Sequence, residues 1–133
     1  MINKNNNNKN VTASLEDYLE AIYFLNSEDG VRVTDIATEL SISKPSVNRA
    51  INTLKSQGLV KHEHYGSLFL TEEGFEIAKK VAKRHFIVKK FLNQILGVEE
   101  DKAEKEACMI EHCLCADTVD KLENFMNKII NDN

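Results

Sequence analysis

Apolar residues recur along this chain at helical spacing in six stretches and at strand spacing in one. Leu15, Tyr18, Leu19, Ile22 and Leu25 share one face of a first helix. Ser14, with Asp17 three residues on, predicts its start as a capping box, and it runs to about Asn26. Glu28-Asp29-Gly30 ends it. Thr34 then predicts the cap of a short helix over 35–40, carrying Ile36, Ala37 and Leu40. Ser41-Ile42 makes a tight turn, and Ser43 caps a third helix that tolerates Pro45 in its first turn. Val47, Ile51 and Leu54, at i, i+4 and i+7, give that helix its core stripe, and Gly58 ends it. Two short strands, 59–63 and 67–70, read as a hairpin about Tyr65-Gly66. Thr71 caps a long helix to about Leu96, stopped by Gly97, and two more helices cover roughly 99–115 and 117–131. Residues 2–10, rich in Asn and Lys, read as a disordered tail.

A helix, a tight turn, a second helix and a hairpin, in that order, make the plan of a winged helix-turn-helix. The fold class expected is therefore mainly α: an N-terminal winged helix-turn-helix over 11–73, then an all-helical lobe over 74–133. With Val47, Ile51 and Leu54 turned inward, the opposite face of the third helix holds Pro45, Ser46, Asn48, Arg49, Asn52 and Thr53. Short polar groups beside one Arg suit base edges and phosphates better than a solvated Glu/Lys ladder does. Thr34, Lys44 and Lys61 are further candidate DNA contacts, and Tyr65 stands at the tip of the wing.

Charge changes the picture through its distribution more than its total. The net charge is −4, yet residues 76–92 carry six bases against one acid, while residues 93–133 carry ten acids against four bases. A basic middle ahead of an acidic last third suits a chain that meets a polyanion at one end and binds cations or a partner at the other. The DNA-reading part holds few bases, so one copy binds weakly and two copies on one duplex are expected. No apolar run is long enough to cross a membrane, and the first residues are not a secretory signal, so a cytoplasmic protein is expected. Cys108, Cys113 and Cys115 build neither a disulfide framework nor a two-pair zinc ribbon.

These cysteines fall in the run EKEACMIEHCLC. On a helix, Cys108, Glu111 and His112 lie at i, i+3 and i+4 and present a thiol, a carboxylate and an imidazole to a common point. Ala107, Met109, Ile110, Cys113 and Leu114 lie on the other side, where Cys113 is a packed residue. Such a trio is half of a site for a divalent first-row ion, and it also suits a purely structural cluster. Asp17 and Glu20, at i and i+3 on the first helix, read either as ligands or as a solvated acidic face. His85, among Ala78, Val81, Ala82, Val88 and Leu92, reads either as a ligand or as a hydrogen-bonded core residue. One geometry uses all six groups if the last three helices fold back on the first.

At these residues the chain resembles the family of metal-dependent repressors that includes the diphtheria toxin repressor and the manganese transport regulator. SLEDYLEAIYFL, VTDIATELSISKPSVNRAINTLKSQGLV, KRHFIVKKFLNQILGV and EACMIEHCLC match its pattern in order over about residues 11–126. The resemblance implies a homodimer on a palindromic operator, with Fe(II) or Mn(II), one or two ions per subunit, activating repression of metal-homeostasis genes. By position it makes Asp17, Glu20, His85, Cys108, Glu111 and His112 the metal ligands. In length the chain is similar to the short manganese branch. Its ligand set is mixed: Asp17 and Glu20 match that branch, which has Glu where this chain has Cys108, whereas Cys is found in the iron branch. A thiolate favours Fe(II) over the harder Mn(II), so a shift towards iron is expected. Phe91, Ile95, Leu122, Phe125, Met126 and Ile129 are candidates for the dimer face. Neither a membrane nor a small organic substrate is expected as a partner, and no enzymatic activity. The competing readings are a winged-helix regulator answering to oxidation or an organic ligand, and a small metallohydrolase.

Overall fold

The computed structural model describes residues 11–63 and 66–131. The Asn-rich tail and the expected wing contact Tyr65 lie outside the described residues. The chain divides into two compact units, one through Lys79 and one from Lys80 on.

In the first unit, α1 (Ala13–Leu25), α2 (Val33–Leu40) and α3 (Lys44–Ser56) precede β1 (Val60–His62) and β2 (Leu68–Leu70), and α4 (Glu72–Lys90) begins there. The strands are antiparallel, with Val60 opposite Leu70 and His62 opposite Leu68. Val31 adds one residue to their edge, exchanging hydrogen bonds with Leu68 at 2.9 and 2.8 Å. Gly30 reaches that edge with φ +82°, and a Cβ there would meet the Phe69 ring at 2.8 Å. Leu19, Ile22, Ile36, Val47, Ile51, Leu54, Leu59 and Leu68 form one fully buried core among these elements. Each is worth about 1.5–3 kcal/mol of transfer free energy. The winged helix-turn-helix read from the sequence is present.

Two caps differ from expectation. Thr12, not Ser14, caps α1: its backbone is extended and its hydroxyl accepts from the Leu15 amide at 3.2 Å, which puts Ser14 inside the first turn. Arg32, not Thr34, holds the cap position of α2. Its amide donates to Asp35 Oδ2 at 3.2 Å, starting the helix two residues early and leaving Thr34 in the first turn. Ser41, with φ 55°, makes the turn between α2 and α3. Ser43 caps α3 as expected, accepting from the Ser46 amide at 3.4 Å. Thr71 joins the hairpin to α4. Its hydroxyl donates to Gly58 O at 2.7 Å and accepts from Gly74 N at 3.1 Å. Gly74 lies so close to Leu59 that an added Cβ would fall 1.9 Å from its carbonyl oxygen.

In the second unit the rest of α4 is followed by a π-helical turn, Phe91–Ile95, then α5 (Glu100–Ile110), a 3₁₀ turn, Glu111–Cys113, and α6 (Ala116–Asn131). The long helix expected to reach Leu96 thus changes character at Phe91, whose carbonyl accepts from the Leu96 amide five residues on. The single helix expected over 99–115 stops at Ile110 and tightens. Two small cores hold the unit together: Val88, Leu92, Ala103 and Ala107 in one, and Ile87, Val119 and Met126 in the other, with Phe91, Leu114 and Leu122 packed against both. This packing covers the expected dimer-face residues to different extents, with Ile129 half-buried. Met126 is buried and Phe91, Ile95 and Leu122 are half-buried, while Phe125 is exposed and joins Phe86, Leu96, Met109 and Ile130 on the surface. No helix among the described residues is long and apolar enough to cross a membrane.

Candidate metal centre and nucleic-acid interface

The buried face of α3 is Val47, Ile51 and Leu54, and the opposite face is open: Lys44, Pro45, Asn48, Arg49 and Asn52 are exposed and Ser46 is half-buried. The cap of α3 also orders this face. The Ser43 hydroxyl donates to Ser46 Oγ at 2.9 Å, and Arg49 Nη2 donates to the same oxygen at 3.2 Å, so the one Arg of the helix is held at its first turn. Thr34 and Lys61 are exposed on α2 and β1, Lys61 lying 3.7 Å from Glu63. Lys55 Nζ donates to His62 Nδ1 at 2.8 Å and ties the end of α3 to the hairpin. Loss of hydration on the ring, and then the Lys55 ammonium, hold His62 below its usual pKa.

The end of α5 departs from its sequence reading. The buried stripe is Ala103, Ala107 and, in place of an apolar residue, Glu111, whose side chain has no exposure. Met109 is 68% exposed, and Ile110 and Cys113 are exposed too, so Cys113 is not the packed residue expected. Glu111 and His112 stand on the 3₁₀ turn rather than on the α-helix. Each residue there advances by about 120° instead of 100°, which changes where the last side chains of the run point. A carboxylate tolerates such a position only when polar partners replace its water. Here they are imidazoles. His85, itself 8% exposed on α4, places Nδ1 2.6 Å from Glu111 Oε2, and His112 Nε2 lies 3.5 Å from Glu111 Oε1.

Cys108, Glu111 and His112 each offer a ligand atom within 4.8 Å of the others, and so do His85 and Glu111. Four of the six ligands expected from the sequence are thus gathered inside the second unit. Asp17 and Glu20 lie half-buried on α1 of the first unit. The donor set of thiol, carboxylate and imidazoles suits a divalent transition metal, and Glu111 Oε1, fully buried, accepts no hydrogen bond among the described residues. A buried carboxylate oxygen in that condition costs free energy that a cation would recover.

Two residues that the hydrophobic pattern did not single out stand beside the cluster. Glu104 Oε1 lies 2.8 Å from His85 Nε2, and Glu104 Oε2 is 2.9 Å from Lys89 Nζ. Burial pushes the Glu104 carboxyl up, but hydrogen bonds from Lys89 and His85 outweigh it and hold it below the usual range. The same contact raises Lys89. Their spacing carried a signal: Lys89 follows His85 by four residues and Glu104 precedes Cys108 by four. Cys115 is exposed, outside the cluster, and hydrogen bonding by Thr118 lowers its pKa, with the Thr118 hydroxyl 3.2 Å from the sulfur.

Comparison with known proteins agrees with both halves. Residues 10–68 match the iron dependent repressor N-terminal DNA binding domain, and residues 71–132 match the iron dependent repressor metal binding and dimerisation domain. An uncharacterized helix-turn-helix-type transcriptional regulator of Methanocaldococcus jannaschii is 38% identical over 120 residues, 89% of this chain and 96% of that protein. The regulator MntR of Bacillus subtilis is 36% identical over 116 residues, 86% of this chain and 81% of its own length. The structure of the manganese regulator SloR superposes with a TM-score of 0.77 at 30% identity, over 85% of this chain and 53% of that one. The chain spans about half the length of such solved structures. With two adjoining domain matches in the right order and a relative matched nearly end to end, the chain belongs to the iron-dependent repressor family.

Proposed function

We propose that this member of the family is a cytoplasmic, metal-activated repressor that binds a palindromic operator as a homodimer and controls metal-ion homeostasis genes. Its ligands are Asp17, Glu20, His85, Cys108, Glu111 and His112, and its metal is Fe(II) or Mn(II), one or two ions per subunit. The observation that carries the reading is Glu111: a fully buried carboxylate with His85 and His112 beside it and a thiol in reach. A bound divalent cation supplies the positive charge that this set lacks. Glu111, His85 and His112 would hold the ion, and Cys108 would join them as a thiolate. Asp17 and Glu20, from the DNA-binding unit, complete the set and couple it to the reading helix. Pro45, Ser46, Asn48, Arg49 and Asn52 on that helix face the major groove, Lys44 and Lys61 contact phosphates, and Thr34 and Tyr65 are further DNA contacts. The reading assigns the chain no catalytic activity.

The test is fluorescence anisotropy, without oxygen, on DNA from upstream of its own gene and of metal-transporter genes. Operator affinity rises by about 5- to 150-fold on replacing chelator with metal, the usual span of such coupling. Fe(II) outperforms Mn(II), and Cys108→Glu strengthens the Mn(II) response. Equal binding in chelator and metal overturns the reading in favour of a winged-helix regulator with another signal. Metal-dependent turnover of a phosphoester or peptide would favour a hydrolase.

A further inference from the structure

Both ring nitrogens of His85 meet carboxylates, and the two carboxylates differ in kind. Glu111, at Nδ1, is fully buried within the ligand cluster, whereas the Glu104 side chain, at Nε2, is 51% exposed and belongs to no metal-type cluster among the described residues. A neutral imidazole ligates a metal through one nitrogen and keeps its proton on the other, and the partner of the protonated nitrogen decides which is which. A carboxylate accepts and never donates when ionised. Glu104 is kept ionised and in place by Lys89, 2.9 Å from Oε2, and Lys89 also lies 3.6 Å from Glu100.

We propose that Glu104, clamped by Lys89, is a positioning residue that keeps the proton of His85 on Nε2 and so presents the Nδ1 lone pair to the Glu111, His112 and Cys108 cluster. The inference rests on the metal-binding reading and deepens it. The residues concerned form a small frame: His85 and Lys89 four apart on α4, Glu104 and Cys108 four apart on α5. Glu104 grips both members of the first pair while Cys108 stands among the ligands. Its loss costs metal affinity without exposing any apolar surface, which separates it from a residue that only holds the helices together.

The experiment uses the full chain with ¹⁵N-labelled histidine, with Zn(II) as a diamagnetic probe and a chelator control. In the wild type, long-range ¹H–¹⁵N spectra with Zn(II) show His85 protonated at Nε2 and metal-bound at Nδ1. Glu104→Ala weakens Zn(II) binding by about 10- to 100-fold, the usual effect of removing the partner of a metal-bound histidine. Its thermal midpoint in chelator stays near that of the wild type. Glu104→Gln keeps an acceptor and retains most of the affinity, while Lys89→Ala falls between the two. A Glu104→Ala variant that binds Zn(II) as the wild type does, or a wild-type spectrum with the metal on Nε2, overturns the proposal and leaves the metal site standing. A wild type that binds no Zn(II) overturns both.

Discussion

The two units solve the same packing problem with different materials. The first closes on a single core to which every helix and both strands contribute large aliphatic side chains, and its polar groups serve as caps and as an open reading face. The second has two small cores built largely on alanine, valine and a methionine, leaves Phe86, Leu96, Met109 and Phe125 exposed, and buries a carboxylate against imidazoles. The second, which matches a metal binding and dimerisation domain, leaves buried polar groups that a cation would satisfy and exposed apolar ones that a second copy would cover.

The contrast is broken most directly from the first side. Leu54→Ala removes a side chain with no exposure and is expected to lower stability by about 2–5 kcal/mol, with metal restoring little of it, as thermal melts with and without Mn(II) would show. From the second side, metal at 100 times its dissociation constant adds about 2.7 kcal/mol. Hydrogen exchange should place that protection at α4 from Lys80 onward, α5, α6 and, through Asp17 and Glu20, α1, and Glu111→Gln should abolish it. Protection spread evenly over both units would show that the contrast is false. Thr71→Ala takes away both the cap of α4 and its tie to Gly58, for about 0.5–2 kcal/mol in chemical denaturation.

The smallest effect is electrostatic. The folded chain favours neutral His62, so its native pKa lies below the ordinary histidine value of 6.5. The stability this residue contributes is complete above that value and is lost as the pH falls through the native pKa. An NMR titration should find the low value, and Lys55→Ala should raise it only partway, since the lost hydration of the ring remains.

The first unit was legible in the sequence because its signals are local. Val47, Ile51 and Leu54 announce their helix by spacing alone, and Ser43 and Thr71 cap where their chemistry says they should. Thr12 was passed over because Ser14, with an acid three residues on, offered a competing cap. The second unit was legible in its chemistry and less so in its geometry. The pattern of 107–114 assigned Met109, Ile110 and Cys113 to an apolar face, but periodicity assumes one helix type throughout. The chain tightens at Glu111, and that carboxylate turns inward to meet the His85 ring on α4 at 2.6 Å. Glu104 is less legible for a related reason: its partner is on another helix, 19 residues earlier, and the four-residue spacings that set Lys89 and Glu104 beside ligands do not by themselves join the two helices.

The distance along the chain between His85 and Glu111 also sets an order of events during synthesis. The elements of the first unit find all the members of their core before residue 80, so the reading helix can fold while the rest is still being made. His85 waits for a partner 26 residues later. At ordinary rates of translation that interval lasts on the order of a few seconds. Every new copy therefore owns a finished reading head before it owns a sensor.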